Sequence, residues 1–368
     1  MSTSVPRIIQ TILSKESLVF VGSYTQGQSE GIYVYSWISG TLEHKYTAAG
    51  VVNPSYLTIE PGRRYLFSVN EVRDHDGKLG GGVSSFAIDK KTGELTLLNQ
   101  QPSLGGDPCY ITTDRTGRFV LVANYASGTI GVIPVKKDGS LDPPVDFAQH
   151  IGPGNHPRNP GPHAHCVEVD PTNRFVFACD AGLDKIMAYK FDSRRGALDP
   201  YPDACVETPI QSGPRHITFH PTGMYAYVVT ESGTTIIAYA YDSERGKLHE
   251  LQTVPTLPEG FTGRNSCADI HVTPQGKFVY ASNRGHDSLV IYEIDSATGK
   301  LRYVGHQSTG GRTPRNFSID PTGSYLLAAN QNTDNIVVFT IDQDTGKLQP
   351  TGKTVEVSKP VCIKFMPI

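Results

Sequence analysis

The stretch Phe119-Val120-Leu121-Val122-Ala123-Asn124, entered through the turn Arg115-Thr116-Gly117, decides the fold because the chain repeats it. Continuous apolar runs of this length, bounded by turn residues, suit strands buried on both faces. Phe175-Val176-Phe177-Ala178-Cys179 and Tyr325-Leu326-Leu327-Ala328-Ala329 are further copies. The turn recurs as Pro61-Gly62-Arg63, Pro171-Thr172-Asn173, Pro221-Thr222-Gly223, Pro274-Gln275-Gly276 and Pro321-Thr322-Gly323, and Pro367-Ile368 begins a seventh. From residue 61 the steps are 54, 56, 50, 53, 47 and 46 residues. A second turn places Gly two residues before Leu seven times, at Gly40, Gly93, Gly139, Gly196, Gly246, Gly299 and Gly346.

Short strands repeating at this period are the signature of a propeller of four-stranded blades around a channel. An all-β, seven-bladed β-propeller of antiparallel blades is therefore expected, and no long amphipathic helical pattern competes with it. The copies start out of phase with the chain. Leu18 to Ser23 and Ile32 to Tyr35 match second and third strands with no first strand before them, and Pro360 to Pro367 is the missing first strand. N- and C-terminal segments should thus build one blade together, leaving no open sheet edge. Residues 1–16 are read as a tail and 17–368 as one domain.

Net charge is −3, with Lys+Arg 33 against Asp+Glu 36 and no block of like charge, which argues against nucleic acid and anionic membrane as partners. No apolar stretch approaches membrane-spanning length, and Ile8, Ile9, Ile12 and Leu13 are interrupted by Gln10, Thr11 and Ser14. A cytoplasmic protein, monomeric or weakly dimeric, is expected. Its six cysteines have no C-x-x-C spacing, and Cys109, Cys166, Cys179 and Cys362 fall in predicted buried strands, so they read as reduced core thiols. Asn316-Phe317-Ser318 is a formal glycosylation sequon, discounted because it falls in a predicted inner strand.

The repeat also aligns the chain with itself. Six residues before each first turn lie Ser55, Cys109, His165, Arg215, Ala268, Arg315 and Val361; nine after it lie Asn70, Asn124, Asp180, Thr230, Asn283 and Asn330, with Ser23 in the split copy. In an antiparallel hairpin the start of one strand lies beside the end of the next, so both sets share one mouth of the channel. The following residues add Glu71, Tyr125, Ala181, Glu231, Arg284, Gln331 and Tyr24. The repeated Asn reads first as a turn former that satisfies backbone. Departures from the repeat carry the information: His165, Arg215, Arg315, Glu231 and Arg284. Long connections at Ser23 to Gly31, Asn70 to Gly82, Pro143 to Pro162 and Pro255 to Ser266 are expected at the same mouth.

Converging guanidiniums suit a small anionic ligand, and a neighbouring carboxylate or imidazole suits proton transfer. An Arg also stabilises a developing oxyanion, so ester or lactone hydrolysis uses both. No nucleophile elbow, zinc-protease helix, P-loop or dinucleotide fingerprint occurs, and no cofactor is expected. A metal held by His163, His165 and Asp180, or by Glu71, Asn124, Asp180 and His165, is the weaker alternative. His216, His220 and His271 read as core histidines.

Gly213-Pro214-Arg215-His216 with Phe219-His220-Pro221, Ala268-Asp269-Ile270-His271 with Pro274 and Gly276, and Pro314-Arg315 leading to Asp320 resemble the bacterial 6-phosphogluconolactonase family of seven-bladed propellers. That family also contains the fungal carboxy-muconate lactonizing enzymes. The resemblance implies a channel site of His, Arg, Glu and Arg, which falls on His165, Arg215, Glu231 and Arg284. Arg315, Asn70, Glu71, Asn124, Tyr125, Asp180, Asn283, Asn330 and Gln331 are then expected to bind substrate. The expected activity is metal-independent opening of a small anionic sugar lactone. A carboxy-muconate cycloisomerase and a non-enzymatic binding propeller are the alternatives. The Pro/Gly/His-rich insertion before His163 and the Thr230-Glu231 pair depart from the family pattern.

Overall fold

A computed structural model describes residues 16–75, 78–155 and 160–368. The tail expected over 1–16 lies outside the described residues except for Glu16, which opens the first strand, Glu16–Ser23.

Seven antiparallel sheets form the blades, each running from an inner strand outward, and a two-stranded ladder pairs Asp74–His75 with Lys78–Leu79. Blade 1 is Leu57–Ile59, Tyr65–Asn70, Gly82–Ile88 and Leu95–Pro102; blade 2 is Pro108–Thr113, Phe119–Asn124, Thr129–Pro134 and Asp146–Gln149. Blade 3 has Ala164–Val169, Phe175–Asp180 and Lys185–Asp192, with its outer position shared by Ala197–Pro200 and Val206–Glu207 on either side of a 3-10 turn. Blades 4 and 5 begin with Pro214–Phe219 and Ser266–Val272, and blade 6 with Pro314–Ile319. Blade 7 combines Pro360–Pro367 with Glu16–Ser23, Gly31–Ile38 and Thr41–Ala49, as the phase of the repeat predicts. Neighbouring inner strands touch all the way round, including Pro360–Pro367 against Leu57–Ile59, so the ring closes. Among the described residues there is no α-helix.

Each recurring turn has a physical task. The residue before the first turn caps it: Asp114 accepts from the amides of Thr116, Arg118 and Phe119, Asp170 from those of Thr172, Arg174 and Phe175, and Thr273 from Lys277 and Phe278. The second-turn glycine locks blade to blade. Gly246 sits at φ +63° with its missing Cβ position 2.3 Å from the Phe175 ring of the preceding blade, and Gly139, Gly196, Gly299 and Gly346 meet Tyr65, Phe119, Tyr225 and Phe278 in the same way. Only glycine supplies both the left-handed backbone and the space.

The inner strands carry one further device. Register shifts fall between Pro108 and Tyr110, Ala164 and Cys166, Pro214 and His216, Cys267 and Ile270, and Pro314 and Asn316. The unpaired residues are therefore Cys109, His165, Arg215, the Ala268-Asp269 pair and Arg315. A β-bulge re-aims a side chain, and here it re-aims the positions that the repeat places six before each turn.

One expectation needs correction. The segment read as a loop from Pro143 to Pro162 contains the outer strand Asp146–Gln149, whose alternating exposure and short length hid it.

Candidate active site

The bulged residues converge. A small chamber on the channel axis is lined by Ser55, Tyr56, Glu71, Cys109, His165, Arg215, His216, Arg315 and Val361, which include six of the seven residues found by counting six back from the turns. Ala268 is the exception; its carbonyl instead accepts from Arg215 Nη1.

Beside the chamber, Glu231 stands between two guanidiniums. Its Oε1 accepts from Arg284 Nη2 at 2.7 Å, and its Oε2 lies 3.2 Å from Arg215 Nε. The second contact is an ion pair without hydrogen-bond alignment. Arg284 also donates to the carbonyls of Cys267 and Ser266. Arg215 is 1% exposed and spends Nη1 on Ala268 O and on His216 Nε2 at 3.2 Å. Arg315 has no hydrogen-bond or ion-pair partner among the described residues; its guanidinium lies 5.5 Å over the Tyr24 ring.

These charges set the protonation states. Burial alone pushes the Glu231 carboxyl up, but Arg284, Arg215 and Arg315 overcome it and hold the group down to about 2. Burial, then Arg215, His216, Arg315 and Arg284, pulls His165 well below the usual imidazole range. Burial and Arg284 bring Arg215 down to about 10, which leaves it charged at neutral pH. At neutral pH the site therefore holds three cations, an ionised Glu231 and a neutral His165.

The sequence reading put His216 in the core; it also has a place in the chamber. Its Nδ1 donates to Asp269 Oδ1 at 2.8 Å, so its Nε2 carries the lone pair that accepts from Arg215. Asp269 is 1% exposed and further held by His271 Nε2 at 2.9 Å, by the Ile270 amide and by Asn316 Nδ2, while Asn316 Oδ1 accepts from the Ile363 amide. A hydrogen-bonded chain thus runs from Arg215 in blade 4 through blades 5 and 6 to blade 7. The signal was present in the repeat: five residues before each turn lie Tyr56, Tyr110, Cys166, His216, Asp269, Asn316 and Cys362, a second ring in which three successive copies turn polar.

The remaining expected residues divide. Asn70, Asn124, Asn283 and Asn330 are buried, and their amides donate to the carbonyls of Val52, Ser103, Thr256 and Thr309. The structure gives them the backbone-satisfying task, not a place in the chamber. Asp180 is likewise buried, accepting from His150 Nδ1 at 2.5 Å and from the amides of His163, Gly182 and Leu183. Its oxygens are spent, and His163 Nδ1 is bonded to Tyr125 O, so these residues are not arranged as the weaker, metal-binding alternative would need. Among the described residues no group of three or more His, Cys, Asp or Glu is arranged to hold a metal ion. Glu71 lines the chamber but is engaged by Ser55 Oγ and, at 2.9 Å, by Tyr24 Oη. Tyr125 lies edge-on to His165 at 5.5 Å, and Gln331 is half-buried with its amide N–H on Thr313 O.

Fold and site together define a closed β-propeller with a polar, arginine-rich chamber on its axis. A sequence model of the lactonase seven-bladed β-propeller family matches residues 18–365, and the chain belongs to that family. It is 41% identical over 353 residues to a 6-phosphogluconolactonase of Bacillus subtilis, covering 94% of this chain and 97% of the relative. A 6-phosphogluconolactonase of Formosa agariphila is 36% identical over 310 residues, covering 82% and 85%. Among solved structures, the periplasmic gluconolactonase PpgL of Pseudomonas aeruginosa is 36% identical with a TM-score of 0.90, covering 96% of this chain and 99% of that one.

Proposed function

We propose that the protein hydrolyses a small anionic sugar lactone, as the names of its relatives suggest, and that it does so at this chamber without a metal. The observation that carries the reading is the position of Glu231 between Arg215 and Arg284 beside the unpaired guanidinium of Arg315. Water attacks the lactone carbonyl carbon while its proton passes to Glu231, and negative charge moves to the carbonyl oxygen beside Arg215. One negative charge thus passes from Glu231 to the oxyanion, so the net charge among the guanidiniums is unchanged throughout. Such a preplaced donor contributes about 3–4 kcal/mol to the transition state. The ring C–O bond then breaks, the carbonyl reforms, and Glu231 returns the proton to the departing ring oxygen, giving a hydroxy acid.

A carboxyl held near 2 is a weak base in the empty site. An anionic substituent held by Arg315 offsets the local positive charge and raises the basicity of Glu231 when it is needed. Neutral His165, facing the same chamber, accepts a hydrogen bond and helps orient the water. Metal independence is supported by the prior commitment of the nearby carboxylates: Glu231 to arginines, Glu71 to Tyr24 and Ser55, and Asp180 to His150. We infer a cytoplasmic location from six free thiols, including Cys166 and Cys179 facing each other on adjacent strands.

The test is lactone hydrolysis with phosphorylated and unphosphorylated gluconolactone, for wild type and Arg315→Ala, with and without chelator. The expected result is loss of the phosphorylated-substrate preference by tenfold or more in Arg315→Ala and no chelator effect. An unchanged preference would remove Arg315 from the site, and chelator inhibition would remove metal independence.

A further inference from the structure

The chamber has a free volume of only about 10 Å³, room for one water-sized group, whereas ligand pockets run to roughly 300–1,000 Å³. A sugar ring cannot sit inside it. Next to it, across Tyr125, a cleft of about 410 Å³ opens between blades 1, 2 and 3, lined by Arg73, Gly80, Gly105, Gly106, Tyr125 to Ser127 and His163. Tyr125 joins the two spaces, with its ring on the chamber's His165 at 5.5 Å and on the cleft's His163 at 4.5 Å.

Two glycine runs bare the wall of the cleft. Gly80-Gly81-Gly82 and Gly105-Gly106 lie side by side, with the Gly81 amide donating to Gly105 O at 2.7 Å and the Gly106 amide to Ser127 Oγ at 2.8 Å. A Cβ on Gly105 would lie 2.4 Å from Ser127 Oγ, so that position must stay bare, but one on Gly106 would make only ordinary contact with Ala126, at 3.5 Å. Opposite, His163 is rigid. Its amide donates to the buried Asp180 carboxylate at 2.8 Å, and its ring leans on Tyr125 with the planes tilted by 30°. Its Nδ1 lies 2.8 Å from Tyr125 O. A carbonyl only accepts, so Nδ1 carries the proton, and in the neutral ring Nε2 holds a lone pair that no described residue occupies.

We propose that this cleft seats the polyhydroxylated body of the ligand, with the Tyr125–His163 pair as its stacking floor and His163 Nε2 accepting a hydrogen bond from a ring or chain hydroxyl. Only the polar ends of the ligand, its lactone carbonyl and its anionic substituent, turn toward the chamber's arginines. The proposal deepens the lactonase reading and rests on it for the ligand class, but binding tests it without turnover. The probe is D-gluconate, titrated calorimetrically into wild type, Gly106→Leu, His163→Phe and His163→Gln, with melting temperature measured alongside. Gly106 lies outside the left-handed region, so Leu fills the cleft without backbone strain. Gly106→Leu and His163→Phe should each weaken gluconate binding tenfold or more at unchanged melting temperature, while His163→Gln, whose amide oxygen can accept, stays within about threefold of wild type. Wild-type affinity in Gly106→Leu overturns the proposal, as does a wild-type protein that binds no gluconate. Gluconate binding lost in these variants, in a protein that hydrolyses no lactone, would uphold the cleft and sink the lactonase reading instead.

Discussion

Arg215 is held in place by a neighbour that must stay neutral. His216 accepts from Arg215 only while its Nε2 lone pair is free, and burial with Arg215 outweighs Asp269 to lower its pKa to about 4. The sign of the linkage follows. Between about pH 6.5 and 4 the unfolded chain takes up a proton that the folded chain refuses, so stability falls as pH falls through that window. A gap from 6.5 to about 4 in a side chain 4% exposed corresponds to about 3 kcal/mol. His165 acts in the same direction, and Glu231, whose folded pKa is depressed, adds its own loss as pH falls from 4.5 toward about 2. Denaturant melts from pH 7 to 4 should show a clearly shallower pH slope for His216→Gln than for wild type. Equal slopes would mean that His216 does not titrate in this way. Little of this was legible in the sequence. Arg215 and His165 stood out as departures from a repeat, but His216 one residue later looked like any core histidine, because its partner Asp269 is 53 residues away.

At the scale of elements, the second-turn glycine and the bulge divide the work: one locks neighbouring blades, the other aims side chains at the axis. Gly246→Ala should destabilise by about 2–4 kcal/mol, from left-handed strain and a clash with Phe175. Gly352, at φ +78° with nothing near its Cβ position, isolates the first part, and Gly352→Ala should cost only about 1 kcal/mol. Equal costs at the two sites would leave the blade lock without energetic weight. The recurrence of Gly before Leu was plain in the sequence, but the aromatic ring it packs against belongs to another copy and left no local trace. The bulges were hidden for a similar reason. Counting brings six of the seven six-before positions to one chamber, since a period fixes equivalence, yet direction and depth depend on backbone pairing. The repeated Asn, which the repeat marks first as a backbone-satisfying residue and which also stands among the expected substrate ligands, turns its amide to backbone carbonyls.

At the scale of the molecule, seven nearly equivalent blades surround an axis whose layers are not equivalent. The first layer gathers Arg215, Arg315 and His165, and the second stacks Tyr56 on Tyr110 at 4.2 Å with His216 edge-on to both. A third layer, three residues before the turns, places Glu168, His271 and Lys364 around a separate cavity of about 220 Å³. The scaffold needs near-identity between copies and the chemistry needs difference, so the axis is where the two separate. Closure of the ring through Pro360–Pro367 makes that axis rigid and fixes Arg215, Glu231 and Arg284 across two blades. The most direct measurement is kcat for gluconolactone or its 6-phosphate with Glu231→Gln, a change that keeps shape and removes the proton acceptor. A fall of about a hundredfold or more with an unchanged fold is predicted, and a rate within twofold of wild type would contradict the placement of hydrolysis at this carboxylate.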